Sequence, residues 1–195
     1  MFSIRLWKIR ISFHFSFFAV ISLMLILDGE GCLLLGFYAC LLHEMGHLAA
    51  MLSLKVPLSE ICFYGAGVKI VPKKSKLTGY GKELAVLAAG PLANLIVFAA
   101  AYFLIGGQAA VFGAVSLVTG LFNLLPLKGF DGGRMIALAA ERFAAPLGLW
   151  ETKTALAAVN CAALAVLLAV AVSRGFGNPS LYITVIYFMI AELMI

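Results

Sequence analysis

His43, Glu44 and His47 are the residues of this chain best suited to chemistry. They stand in His43-Glu44-Met45-Gly46-His47, inside an otherwise apolar run from Cys32 to Leu54. On an α-helix, positions i and i+4 lie one turn apart on one face, so both imidazoles reach a single divalent ion. The neighbouring carboxylate of Glu44 is placed to take a proton from water rather than to ligate. Two nitrogen donors, a base and a water make a hydrolytic metal centre of the zinc type. A five-residue pattern also arises by chance on helices, and here the surroundings decide. Each ionisable residue at the centre of a membrane-spanning helix costs roughly 2.5 to 3.5 kcal/mol, and three on consecutive turns need a function to retain them.

A catalytic zinc takes three protein ligands and keeps one position open, so the two histidines require a third donor. Asp131 is the only acidic residue outside the histidine turn expected at matching depth. It follows Asn123-Leu124-Leu125-Pro126-Leu127-Lys128-Gly129-Phe130, where proline and glycine stop a helix and leave a short extended stretch. Asp131 also suits the N-cap of the helix running on to Phe143, a role compatible with ligation because a cap still leaves one oxygen outward. Cys40, three residues before His43, is the alternative donor. Like Cys32, Cys62 and Cys161 it has no C-x-x-C partner, and all four read as reduced packing residues.

The elements that position these groups are membrane spans. Of 195 residues 64% are hydrophobic, and the mean hydropathy is +1.08, which excludes a soluble globule. The net charge of +5 comes from basic residues placed between apolar runs, so it reports topology rather than nucleic-acid binding. We expect an all-α polytopic membrane protein, one domain over 1–195, with about six transmembrane helices at 11–27, 32–54, 84–105, 109–125, 154–173 and 179–195. Between the second and third lies a β-like segment, 60–72, whose β-branched and aromatic residues flank Gly65-Ala66-Gly67 and read as a short membrane-associated hairpin. Such a strand has an edge to which an extended substrate can add.

Smaller features fit this plan. A basic start with Arg5, Lys8 and Arg10 precedes the first span, and no small-residue cleavage site follows, so the span is expected to stay uncleaved. His14 reads as interfacial, Asn94 as a packing polar residue turned from lipid, and Glu192 as a carboxylate snorkelling to the interface. Gly90-Pro91 loosens its helix and admits a close neighbour. Glu141, Arg142, Glu151 and Lys153 mark an exposed connection around Pro146. Six spans put 13 of the 14 Lys and Arg residues on one side, with Arg174, Asp28 and Glu30 opposite. The positive-inside rule makes that side cytoplasmic, with both termini on it, and sets His43, His47 and Asp131 at one depth.

His43-Glu44-Met45-Gly46-His47, Ala89-Gly90-Pro91-Leu92-Ala93-Asn94 and Asn123-Leu124-Leu125-Pro126 with Asp131-Gly132-Gly133 together resemble the site-2 protease family of intramembrane zinc metalloproteases. Their order, with the β-like segment between spans two and three, most resembles the branch containing the stage IV sporulation protease that processes the precursor of sigma factor K. The resemblance covers nearly the whole chain. It implies one zinc ion held by His43, His47 and Asp131, with Glu44 as general base. It implies further that Asn123 orients substrate or stabilises the oxyanion, and that Gly65-Ala66-Gly67 belongs to a substrate-docking hairpin. The implied activity is hydrolysis of a peptide bond in or beside a transmembrane segment of a membrane-associated protein, in a bacterial cell membrane and with room for a membrane regulatory partner. The branch often carries a nucleotide-binding domain after its last span, and relatives carry a PDZ insertion. Neither is in this sequence, so regulation by ATP is not expected. The competing class is a metal or ion transporter subunit, or a non-catalytic module that binds membrane proteins. The absence of an internal repeat argues against the transporter plan.

Overall fold

The computed structural model describes residues 2–6, 9–29, 31–65, 67–73, 79–143 and 152–194. Lys8, Glu30, Ala66, Pro146 and Glu151 lie outside the described residues. The chain divides into two compact units, Met1–Asn123 and Leu124–Ile195.

Among the described residues, the first unit holds four strands and four helices. Strands β1 (Phe2–Leu6), β2 (Ile9–Phe13), β3 (Leu58–Tyr64) and β4 (Gly67–Pro72) form one mixed sheet in that order. The β3–β4 pair is the expected hairpin, antiparallel with Ile61 opposite Ile70. The β1–β2 pair extends the expected all-α fold with one hairpin to a mostly helical fold with a four-stranded sheet, and it corrects the start of the expected first span of 11–27, whose residues 11–13 lie in β2. Phe-Ser-Ile-Arg-Leu and Ile-Arg-Ile-Ser-Phe alternate apolar and polar residues with the period of a strand. β2 then lies parallel to β3, with the Phe13 and Phe63 rings stacked at 4.7 Å and Ser12 Oγ donating to Glu60 Oε1 at 2.7 Å. Parallel strands need a long crossover, here made of α1 (Phe15–Leu27) and α2 (Cys32–Ser53). Asp28 joins these helices and fixes the start of α2, accepting from the Leu33 and Leu34 N–H groups at 3.1 and 2.9 Å.

Helix α3 (Tyr80–Ala99) continues through a π-helical stretch, Ala100–Ile105, before α4 (Gln108–Asn123). These helices pack on α2 through small residues. A Cβ on Gly46 would lie 2.5 Å from the Ala89 carbonyl oxygen, and one on Gly120 would lie 2.9 Å from Asn94 Cβ. Glycine at both crossings is therefore a packing requirement. Asn94, fully buried as expected, donates from Nδ2 to the carbonyls of Ala39 and Ser116, linking the three helices.

The second unit holds α5 (Asp131–Phe143), α6 (Thr152–Ser173) and α7 (Pro179–Leu193). Leu127, Leu164 and Val185 form its buried centre, with Phe130 and Phe188 beside them. Pro179 opens α7 under an Asn178 cap that accepts from the Ser180 N–H at 3.0 Å.

Among the described residues, three helices are long and apolar enough to cross a membrane: Cys32–Ser53, Tyr80–Ile105 and Thr154–Ser173. Phe15–Leu27, Ala109–Asn123 and Pro179–Leu193 are apolar but shorter. The 13 residues of α1 extend only about 20 Å, against a hydrocarbon core of about 30 Å. Outward apolar side chains such as Phe15, Ile26, Leu104 and Ile183 suit contact with lipid.

Candidate metal centre

α2 presents His43 and His47 on the face toward α3. His43 is buried, and Glu44 and His47 are half-buried. Ligand atoms of the three residues all lie within 4.8 Å of one another. The two Nε2 atoms are 3.1 Å apart, with the rings nearly perpendicular at 86°. Two zinc–nitrogen bonds of about 2.05 Å at a tetrahedral angle require a separation of about 3.3 Å, so the pair needs almost no adjustment to share one zinc ion.

The tautomer of His47 is set by its surroundings. Its Nδ1 lies 2.7 Å from the Val86 carbonyl oxygen on α3. A carbonyl only accepts, so Nδ1 carries the proton and Nε2 keeps its lone pair for the ion, the usual outer support of a metal-bound histidine. Two nitrogens with a carboxylate close by form a donor set that zinc favours.

Gly90 makes room for this arrangement. A Cβ there would lie 2.4 Å from His47 Nε2 and 2.8 Å from His43 Cε1. The Gly90-Pro91 pair was expected to permit a close helix neighbour, and the neighbour it admits is the imidazole pair itself. Nothing local in the sequence marks this role, because α2 and α3 meet only in the fold. The Val86 carbonyl is equally invisible to a reading of side chains.

The remaining site residues fall in different places. Asn123, half-buried at the end of α4, donates from Nδ2 to the carbonyl of Thr119 in its own helix at 3.0 Å. Gly65 and Gly67 flank the β3–β4 turn. Gly67 has φ +129°, which a side chain rarely adopts, and Gly65 packs on Ser16 and Val20 of α1. Ala66 lies outside the described residues. Tyr64, Gly65 and Gly67 line a cavity of about 350 Å³ whose walls include Cys40, one turn before His43, and Thr119, one turn before Asn123. Cys40 thus belongs to this wall, and the tight metal-ligand group comprises the two histidines and Glu44.

Asp131 belongs to the second unit and is the first residue of α5, buried together with Gly132 and Gly133. The two glycines let α5 start hard against the preceding turn. A Cβ on Gly132 would lie 2.1 Å from the Leu124 carbonyl oxygen, and one on Gly133 would lie 2.2 Å from that of Leu127. Glu192 corrects its expected place: it is 4% exposed and accepts from the Lys128 N–H, rather than reaching to an interface.

No protein-family model and no curated protein sequence matches the chain. Among solved structures its fold is similar to that of the site-2 protease from Methanocaldococcus jannaschii, with a TM-score of 0.61 and 21% identity. The likeness covers 98% of this chain and 94% of that one. At this identity it is a likeness of fold, and it agrees with the architecture expected from the order of the three motifs.

Proposed function

We propose that this protein is an intramembrane zinc endopeptidase that hydrolyses a peptide bond in or beside a membrane-embedded segment of another protein. The observation that carries the reading is the pair of Nε2 atoms 3.1 Å apart beside Glu44, on a helix long and apolar enough to cross a membrane. His43, His47 and Asp131 are the residues proposed to hold the metal. Zinc in that site supplies Lewis-acid polarisation of a water molecule and of the scissile carbonyl.

The chain's own groups do the rest. The Val86 carbonyl keeps the proton of His47 on Nδ1, so Nε2 stays available as a donor. Glu44 accepts the proton of the attacking water and returns it to the leaving amine. The amide nitrogen of Asn123 has two protons; Thr119 takes one, and the second is available to a developing oxyanion. The Gly65-to-Gly67 turn and its adjoining cavity offer an extended segment a path from the sheet toward α2. The order of motifs points further to the sporulation branch, with a membrane-associated sigma-factor precursor as substrate class. The cytoplasmic placement of both termini is part of the same proposal and rests on charge.

Co-expression with single-span substrates and with such a precursor tests the reading, comparing the intact protein with Glu44→Gln. A new fragment is expected with the former. With the latter, cleavage is expected to fall by about 10²- to 10⁴-fold, the usual contribution of general-base catalysis, while purified protein keeps its zinc. Undiminished cleavage by Glu44→Gln overturns the mechanism.

A further inference from the structure

Asn160 and Glu192 are both 4% exposed, and both sit in apolar helices of the second unit, α6 and α7. An amide and a carboxylate are expensive in such helices unless used. Both are used on one short piece of backbone. Asn160 Nδ2 donates to the Pro126 carbonyl at 2.7 Å, and Glu192 Oε1 accepts from the Lys128 N–H at 2.5 Å. Lys128 Nζ donates in addition to the Met194 carbonyl.

The turn's internal bonds explain why these two groups need outside partners. Phe130 N–H donates to the Leu127 carbonyl at 3.1 Å, and Arg134 N–H donates to that of Phe130 at 3.0 Å. The Pro126 carbonyl and the Lys128 N–H are instead met by side chains from α6 and α7. Non-helical backbone in a membrane protein is tolerated only where such groups are satisfied. Leu127, between them, is buried on Leu164 and Val185. The underside is not packed solid, because Pro126, Lys128, Gly133, Asn160 and Glu192 line a cavity of about 270 Å³. Directional hydrogen bonds therefore act beside the buried Leu127 to fix this stretch.

We propose that Asn160 and Glu192 are positioning residues that clamp the 126–130 turn and so fix where Asp131 opens α5. Rigid support of this kind is what holds a metal ligand in its productive geometry. The inference deepens the zinc-protease reading and rests on Asp131 being a ligand there.

Glu192→Leu, Glu192→Gln, Asn160→Leu and Asp131→Ala are compared in the full-length protein in detergent. Zinc affinity is read by chelator competition, and amide hydrogen exchange is followed across 127–134. Removing either clamp is expected to lower zinc affinity 10- to 100-fold, the range typical of groups supporting a metal ligand, and to speed exchange at the Lys128 amide. Glu192→Gln retains an oxygen acceptor and is expected to stay within about threefold of the parent, because Lys128 N–H asks for an acceptor and not a charge. If both leucine variants keep zinc affinity and slow exchange, or if Glu192→Gln is as damaging as Glu192→Leu, the proposal is overturned. Should Glu192→Leu not accumulate, Asn160→Leu makes the same test with α7 untouched. Asp131→Ala separates this idea from its premise: zinc retained there refutes Asp131 as a ligand, whereas zinc lost there but kept in both leucine variants refutes the clamp alone.

Discussion

The histidine turn and the aspartate turn are positioned by opposite means. His43 and His47 ride on a continuous helix of 22 residues, and their relative position follows from helical geometry. What remains is to keep α3 close and shaped around the rings, which Gly46, Gly90 and the Val86 carbonyl do. Asp131 stands where one chain segment ends and α5 begins. The helix itself does not fix where it starts, so glycines beneath Asp131 and hydrogen bonds to α6 and α7 must. A side chain in the middle of a long helix thus tolerates local disturbance better than one at a helix start.

The largest difference should appear when one methyl group is added to each region. In Gly133→Ala the new Cβ meets the Leu127 carbonyl oxygen at 2.2 Å, and neither backbone can yield without moving the start of α5. Overpacking of this kind costs typically 1–3 kcal/mol and occasionally more. We expect a loss near ~3 kcal/mol, seen as a lowered unfolding midpoint in detergent. In Gly90→Ala the new Cβ meets imidazole atoms instead, at 2.4 to 2.8 Å. Rings can swing where backbone cannot, so the unfolding midpoint should move little. Zinc affinity should fall by about 10- to 100-fold as the paired nitrogens are pushed off their common point. If Gly90→Ala unfolds the protein while Gly133→Ala does not, the contrast between the two turns is wrong.

That contrast also explains what could be read from the chain. The histidine pair was legible because its geometry is local: a spacing of four on a helix already fixes the face. The β3–β4 hairpin was legible for the same reason, through β-branched residues around glycine. The β1–β2 strands carried an equally local signal, the alternation of Phe2, Ile4 and Leu6 and of Ile9, Ile11 and Phe13 with polar residues. It was masked because basic residues before an apolar run also mark the start of a span, and only pairing with β3 decides between the two. Glu192 shows the harder limit. A carboxylate near the end of an apolar helix is equally consistent with an interface and with a buried clamp. Its partner is a backbone N–H far earlier in the chain, and backbone groups leave no trace in residue identity. Gly90 stood out as a point of close approach, yet what approaches it depends on the crossing of α2 and α3.

The smallest predicted effect sharpens the comparison from the stable side. Ser116 Oγ donates to the Asn94 carbonyl at 3.2 Å, and the Ser116 carbonyl receives Asn94 Nδ2 at 3.1 Å, so α3 and α4 are tied twice at one level. Ser116→Ala removes only the first tie, because the second uses backbone. Hydrogen bonds between helices in membrane proteins average about 0.6 kcal/mol, since the helices find other partners when separated. The unfolding midpoint of Ser116→Ala should therefore fall by no more than that implies, with zinc affinity unchanged. Helix α3 is also held to α2 at Gly46 and supports His47 through Val86, both independent of Ser116. A large loss of zinc affinity in this variant would mean that the histidine pair depends on the whole bundle, and that its independence from distant polar contacts does not hold.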